Sequence, residues 1–140
     1  MKKPQVFISF AHSSQKEREW VRIFVKTLTS HGASVWWDES RPKAGEHWED
    51  ALENALRRSD IIAFILTPDS LDQSSIYFEL GAALAARKRI VPILAEEMSS
   101  TDIPFPLRSR QGLVKESPRK TALEFLEATK AEGATIQKED

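Results

Sequence analysis

The chain has 140 residues, of which 41% are hydrophobic and 29% charged, and its net charge at pH 7 is −1. That length suits one domain with a full hydrophobic core, and the mixed charge gives no reason to expect nucleic acid as a partner. The chain has no Cys, which excludes disulfides and thiol chemistry and fits a reducing compartment. Its first apolar run, residues 6–10, is too short for a signal-peptide core or a membrane span. We therefore expect a cytoplasmic protein without a membrane partner.

The first strand and helix are predicted within the first 32 residues. Residues 6–10 are β-branched or aromatic, as in a strand. Ser13 or Ser14 can cap the helix that follows, and Glu17 stands three residues after Ser14, as a capping box requires. The buried side of this helix is predicted to carry Trp20, Val21, Phe24, Val25 and Leu28. Gly32 suits the C-cap position of this helix.

A second strand is predicted for residues 33–37, where Trp36 and Trp37 point to opposite faces. Residues 38–46 contain Pro, Gly and several charges, so we expect an exposed, mobile loop. The next helix is predicted to bury Trp48, Ala51, Leu52, Ala55 and Leu56.

The middle of the chain predicts a buried strand, a turn, a helix and another strand. Residues 61–66 are uninterruptedly apolar, which favours a central strand buried on both faces. A turn at residues 67–70 precedes the helix that contains Glu79. The basic residues 87–89 are expected to close that helix, and residues 90–94 form a fourth strand.

The C-terminal third gives weaker patterns. Residues 99–110 are expected to be irregular, and residues 112–114 to form a short edge strand. A last helix is predicted for residues 121–131, with an inner side formed by Ala122, Leu123, Phe125, Leu126 and Thr129. We assign residues 1–131 to one domain and residues 132–140 to a polar tail or linker that frays.

This alternation of strands and helices predicts an α/β fold: a flavodoxin-like three-layer sandwich around a parallel five-stranded sheet in the order 2-1-3-4-5. In such sheets, ligands bind beyond the carboxyl ends of the strands, where the strand order reverses. Four segments are expected at that edge: residues 10–12, the loop after Trp37, residues 67–68 and the start of the Glu79 helix.

Glu79 is the only charged residue between Gln73 and Ala86. A carboxylate in apolar surroundings carries a desolvation cost unless something compensates it. Glu79 is therefore either paired with a cation, for which Arg41, Lys43 and Arg87 are the candidates, or kept for chemistry. Both interpretations stay open at this point.

Several other chemistries lack their sequence signatures. The chain contains no glycine-rich phosphate loop. His12, His31 and His47 lack metal-ligand spacing, so we predict no metal site. No acidic residue follows the first strand, as a phosphoacceptor receiver domain would need for Mg²⁺.

Four segments together resemble the TIR (Toll/interleukin-1 receptor) domain family, over residues 4–94. Residues 6–12 (Val-Phe-Ile-Ser-Phe-Ala-His) resemble its first motif, and residues 35–39 with 43–46 resemble its second strand and BB loop. Residues 59–70 resemble its central strand, and residues 77–80 (Tyr-Phe-Glu-Leu) its glutamate element.

The chain departs from the family's pattern at three positions. Phe10 replaces a more usual Tyr, and Ser14 or its neighbour replaces Asp. Ser75 stands four residues before the glutamate, where enzymatic members commonly have a Trp.

The resemblance implies an NAD⁺ glycohydrolase of the bacterial type, releasing nicotinamide and either ADP-ribose or a cyclic isomer. NAD⁺ would be a substrate, with no cofactor. Glu79 is the implied catalytic residue, and the expected substrate-binding residues are Ser9, Phe10, His12, Trp37, Asp38, Lys43 and Ser75. Among them, Phe10 or Trp37 would pack on a base, and His12 and Lys43 would meet the pyrophosphate. The resemblance also implies self-association with other TIR domains through residues 38–46, and a role in prokaryotic antiviral defence.

Two alternatives come from other functional classes. The first is a non-catalytic scaffold that recruits TIR domains through the same loop, which Ser75 in place of Trp favours. The second is a nucleotide-binding or deoxyribosyl-transfer domain of similar topology.

Overall fold

The computed structural model describes residues 4–11, 14–37 and 48–139. Its strands are β1 (Gln5–Ser9), β2 (Ser34–Trp37), β3 (Ile61–Leu66), β4 (Arg89–Ala95) and β5 (Leu113–Lys115). Its helices are α1 (Gln15–Ser30), α2 (Trp48–Arg58), α3 (Ser74–Ala85), α4 (Phe105–Arg108) and α5 (Pro118–Glu139), with 3-10 helices at Pro68–Asp72 and Ser100–Asp102. The strands are all parallel and lie in the order β2-β1-β3-β4-β5. This confirms the predicted flavodoxin-like fold.

Two separate cores form on the two faces of the sheet, because successive strand residues point to opposite sides. Val6 and Ile8 of β1 face α1 and α5, where they pack in one core with residues such as Phe24 and Phe125. Phe7, between them, faces α2 and α3 and packs in the other core with residues such as Leu52.

Strand β3 lies in the middle of the sheet, as its apolar sequence predicted. It pairs with β1 on one side and β4 on the other, and all six of its residues are buried. This burial on both faces explains why the strand shows no alternation of apolar and polar residues.

Helix α1 begins where its sequence predicted, but its C-cap is His31, one residue before the predicted Gly32. Ser14, rather than Ser13, is the N-cap, and its side chain accepts a hydrogen bond from the backbone N–H of Glu17 at 3.1 Å. Gly32 follows the C-cap residue His31 and adopts φ +96°, a left-handed conformation that a glycine tolerates.

Two predicted inward-facing residues are exposed instead. Ala51 is exposed, because α2 turns Leu52, Ala55 and Leu56 towards the sheet. Leu123 is 45% exposed, because α5 turns Ala122 and Phe125 inward and the next residue lies about 100° further around the helix. The side chain of Trp48 lies outside the described part of the structure.

The basic residues 87–89 follow α3 rather than forming its last turn. The C-cap is Ala86, and Arg87 has φ 56°. The backbone N–H of Lys88 then bonds the carbonyl of Ala83 at 3.1 Å, as in a Schellman motif. Arg89 already belongs to β4.

The C-terminal third is more regular than its sequence predicted. A 3-10 helix and α4 occupy part of residues 99–110, and β5 is the expected edge strand. Helix α5 begins at Pro118 and continues to Glu139, so most of the predicted fraying tail is helical. The division into residues 1–131 and 132–140 remains a prediction. Among the described residues, no helix has both the length and the apolar character needed to cross a membrane.

Candidate functional site

Glu79 and Ser9 meet inside the protein at the carboxyl end of β1. Ser9 is the last residue of the strand and is fully buried, and Glu79 on α3 is 3% exposed. The Ser9 hydroxyl donates a hydrogen bond to Oε2 of the Glu79 carboxylate. The contact joins residues that lie 70 positions apart in the chain. The fold thus brings the carboxylate to the edge of the sheet where ligands bind in this class of structure.

Helix α3 places this acid on its inner side. Ile76, Leu80 and Ala83 are buried against the sheet, and Glu79 occupies the same stripe by its i, i+3 and i+4 spacing. The neighbouring Tyr77 and Phe78 are 46% and 52% exposed. An acid inside with aromatic residues outside reverses the usual distribution of a surface helix, and a buried charged side chain of this kind requires a specific explanation.

The Ser9 hydroxyl offsets part of the cost of burying the Glu79 carboxylate, since hydrogen bonds to an ionised group are stronger than those between neutral groups. Of the cations considered as partners of Glu79, Arg41 and Lys43 lie outside the described residues. Arg87 lies in the connection that follows α3.

Phe10 and Trp37 lie on the other face of the sheet. Phe10 is fully buried in the core beneath α1 and α5, and its ring lies 6.2 Å from that of Trp37 at 42°. Trp37 pairs in register with Ile8, whose side chain belongs to that same core. These two aromatic residues therefore pack with the core of α1 and α5, whereas the helix that carries Glu79 packs on the other face of the sheet.

Trp36 lies on the same face as Glu79. It stacks on Phe7 with ring centroids 4.9 Å apart and planes at 12°, and it packs against the core of α2 and α3. Strand alternation is the signal that places it there: Trp36 pairs with Phe7, two residues before Ser9 in β1.

Three other expected substrate-binding residues, His12, Asp38 and Lys43, lie outside the described residues, as does the loop of residues 38–46. The backbone of Ser75 lies in the first turn of α3, one helical turn before Glu79. The Ser75 side chain lies outside the described part of the structure.

Glu17 is a second buried carboxylate, although its sequence position predicts only a capping residue. It is 5% exposed, and its Oε1 lies 3.7 Å from Nζ of Lys115. Burial raises the pKa of Glu17 above its ordinary value, Lys115 opposes that rise, and Asp69 adds to it. Lys115 also lies 4.7 Å from the ring centroid of Trp20. This group joins α1 to β5 on the face opposite Glu79.

A cavity of about 560 Å³ lies between α2 and α3, and its lining includes Leu52, Phe78 and Ala82. Glu79 does not line this cavity, so its volume does not bear on whether Glu79 binds a ligand. In the part of the chain that the structure describes, His, Asp and Glu nowhere form a group suited to holding a metal ion.

Comparison with known proteins gives a family match and two curated relatives. The family model described as TIR domain matches residues 6–126. The chain is 28% identical over 94 residues to the protein named 2′ cyclic ADP-D-ribose synthase AbTIR from Acinetobacter baumannii (strain 1295743), which covers 64% of this chain and 35% of that protein. It is 25% identical over 113 residues to the protein named probable 2′ cyclic ADP-D-ribose synthase TcpO from Methanobrevibacter olleyae, over 76% of this chain and 33% of that protein. The chain thus spans about a third of the length of both relatives.

A solved structure supports the fold. The metazoan TIR-STING receptor from C. gigas, in complex with 2′,3′-cGAMP, superposes with a TM-score of 0.72 at 21% identity, over 88% of this chain and 38% of that one.

Proposed function

This chain belongs to the TIR domain family, and we propose that it is an enzyme of that family which cleaves NAD⁺ into nicotinamide and an ADP-ribose product. The names of its two curated relatives support NAD⁺-derived chemistry. The single observation in this chain that carries the proposal is the Glu79 carboxylate, buried at the carboxyl edge of the sheet and bonded to Ser9.

One carboxylate is sufficient for this reaction. The bond between C1′ of the ribose and the pyridinium nitrogen breaks, and its electron pair leaves with nicotinamide as a neutral amine. The leaving group needs no proton, so the general acid of most glycosidases is dispensable. Positive charge develops on the ribose, and a nearby carboxylate stabilises it more strongly in a site that excludes water.

The ribose carbon is then attacked by an oxygen nucleophile. If water attacks, the product is ADP-ribose and one proton is released. If a hydroxyl of the ADP-ribose itself attacks, the product is a cyclic isomer and again one proton is released. We propose Glu79 as the catalytic residue on either route, and self-association, as part of prokaryotic immune signalling, as the condition for activity.

The test is nicotinamide release from NAD⁺ by the purified chain, both dilute and concentrated with a crowding agent. We expect turnover that falls at least about 100-fold in Glu79→Gln, because the variant loses the negative charge that opposes the developing positive charge. Circular dichroism and urea unfolding show whether the variant is folded.

Glu17→Gln is the matched control, since it removes another buried carboxylate on the opposite face of the sheet. It should retain activity. Undiminished turnover in Glu79→Gln would contradict the catalytic role. If no assembled state of the wild type releases nicotinamide, the non-catalytic scaffold becomes the better interpretation.

A further inference from the structure

Ser9 contacts the candidate catalytic carboxylate from a position that gives it no access to solvent. It is fully buried at the end of β1, and its hydroxyl donates to Oε2 of Glu79. A side chain without exposed surface does not contact a ligand in the way that a residue at the mouth of a site does. Any influence of Ser9 on a substrate therefore passes through Glu79.

We propose that Ser9 is a positioning residue: its hydroxyl fixes the orientation of the Glu79 carboxylate and stabilises its charged form. The inference rests on the proposed function and differs from the substrate-binding role expected from the sequence. A serine hydroxyl has one proton to donate, and here that proton is committed to one of the two carboxylate oxygens.

The strand that carries Ser9 is held on both sides. Residues of β1 pair with β2 and with β3, and Ser9 itself is in register with Phe64, which is fully buried. Donors on such packed strands hold a reacting group more closely than donors on loops. The Ser9 hydroxyl is thus held in a fixed position, from which it can orient the Glu79 carboxylate.

Replacing Ser9 by Ala removes this donor and leaves Cβ in place. The carboxylate then loses a hydrogen bond that favours its ionised form and its orientation. We expect kcat/KM to fall about ten- to a hundredfold, mostly through kcat, the size of effect given by losing a hydrogen bond to a charged group. The acidic limb of the pH profile should move to higher pH.

The experiment compares nicotinamide release by wild type, Ser9→Ala, Ser9→Thr and Ser59→Ala over a pH series, per folded molecule. Ser9→Thr keeps the hydroxyl and should recover most of the activity. Ser59→Ala is the matched control, because Ser59 is 3% exposed and its hydroxyl donates to the carbonyl of Ala55 at 2.6 Å. Ser59 precedes β3 and so lies at the amino ends of the strands, away from Ser9. This control should leave both the rate and the pH profile unchanged.

A purely structural role gives a different result. Ser9→Ala would then lower the folded fraction, while its pH profile and its kcat per folded molecule would match the wild type, which overturns the proposal. Should Ser9→Ala fail to fold, Ser9→Cys replaces the hydroxyl by a somewhat larger thiol, which is a weaker donor. Reduced kcat in that variant supports positioning, and full activity overturns it.

NAD⁺ cleavage by this chain and the positioning role of Ser9 can be refuted separately. An inactive wild type refutes NAD⁺ cleavage. In that event, coupling between Ser9→Ala and Glu79→Gln in a double-mutant cycle of unfolding free energies would identify the bond as a structural one, and the positioning role would be withdrawn. An active wild type with an unaffected Ser9→Ala refutes positioning alone.

Discussion

At the scale of single residues, the two buried carboxylates are compensated differently. Glu79 receives a hydrogen bond from a fully buried hydroxyl, whereas Glu17 lies 3.7 Å from an ammonium group. Among the described residues, Oε1 of Glu17 accepts no hydrogen bond. Glu17 is therefore held mainly by charge and Glu79 at least in part by a directed bond, and only a directed bond fixes the orientation of a carboxylate.

Glu17 should make stability depend on pH. Its pKa is raised in the folded protein, chiefly by burial. Lys115 lowers the pKa in part, and Asp69 raises it further. The folded state then binds the proton more tightly than the unfolded state. The resulting stabilisation is present below the unfolded pKa and is lost as pH rises through the folded pKa.

Urea unfolding of wild type and Glu17→Gln between about pH 4 and pH 7 measures this contribution. The variant should gain stability relative to the wild type as pH rises, because Gln carries no charge to desolvate. Glu53→Gln is an exposed control, since the Glu53 side chain is 65% exposed. A difference between wild type and Glu17→Gln that stays constant with pH would refute the expectation.

At the scale of elements, two helices end on a residue in the left-handed conformation, but only one of them is glycine. Gly32 has φ +96° after α1, and Arg87 has φ 56° after α3. A side chain in this region costs of the order of 1–2 kcal/mol. Helix α3, which carries Glu79, thus ends in the less favourable way.

Arg87→Gly should stabilise the protein by about 0.5–1 kcal/mol, because the relief of backbone strain exceeds the extra entropy of a glycine in the unfolded chain. Gly32→Ala should destabilise it by about 1 kcal/mol. A Cβ at Gly32 would meet no atom within 4 Å, so this cost comes from the backbone alone. Thermal unfolding measures both changes. Stabilisation by both variants, or by neither, would contradict this account of the helix ends.

The sequence alone was sufficient for the strand order, the buried acid and the start of α1, since each depends on local patterns such as the run of β3 and the cap at Ser14. It was not sufficient for the end of α3 or for either end of α5. The site was harder to predict. Phe10 directly follows Ser9, yet it lies on the other face of the sheet, because neighbours in an extended chain point in opposite directions. The burial of Glu17 was not predicted, because its partner Lys115 lies far away in the sequence, in a short edge strand.

At the scale of the whole molecule, the sheet separates two cores. The face of α1 and α5 holds its own aromatic cluster, and the face of α2 and α3 holds Glu79. Packing changes on the first face should therefore leave the carboxylate site unaffected.

Ile8→Val and Ile90→Val test this separation, since Ile8 packs on the face of α1 and α5 and Ile90 on the other face. Each should cost about 0.5–1.5 kcal/mol. Their effects should add within about 0.5 kcal/mol in the double variant, as expected for independent sites. Chemical denaturation measures the three values, and a larger deviation from additivity would mean that the two cores are coupled.

The hydrogen bond between Ser9 and Glu79 also bears on how the protein folds. It closes a loop of 70 residues, and a contact so distant in sequence carries a cost in loop-closure entropy that other native contacts must offset. Until β1 and α3 have both docked on β3, the carboxylate remains in water, where its electrostatic effect on a bound ligand is weak. A nascent or partly unfolded chain would consequently be inactive, and any activity of Glu79 would require the fully formed sheet.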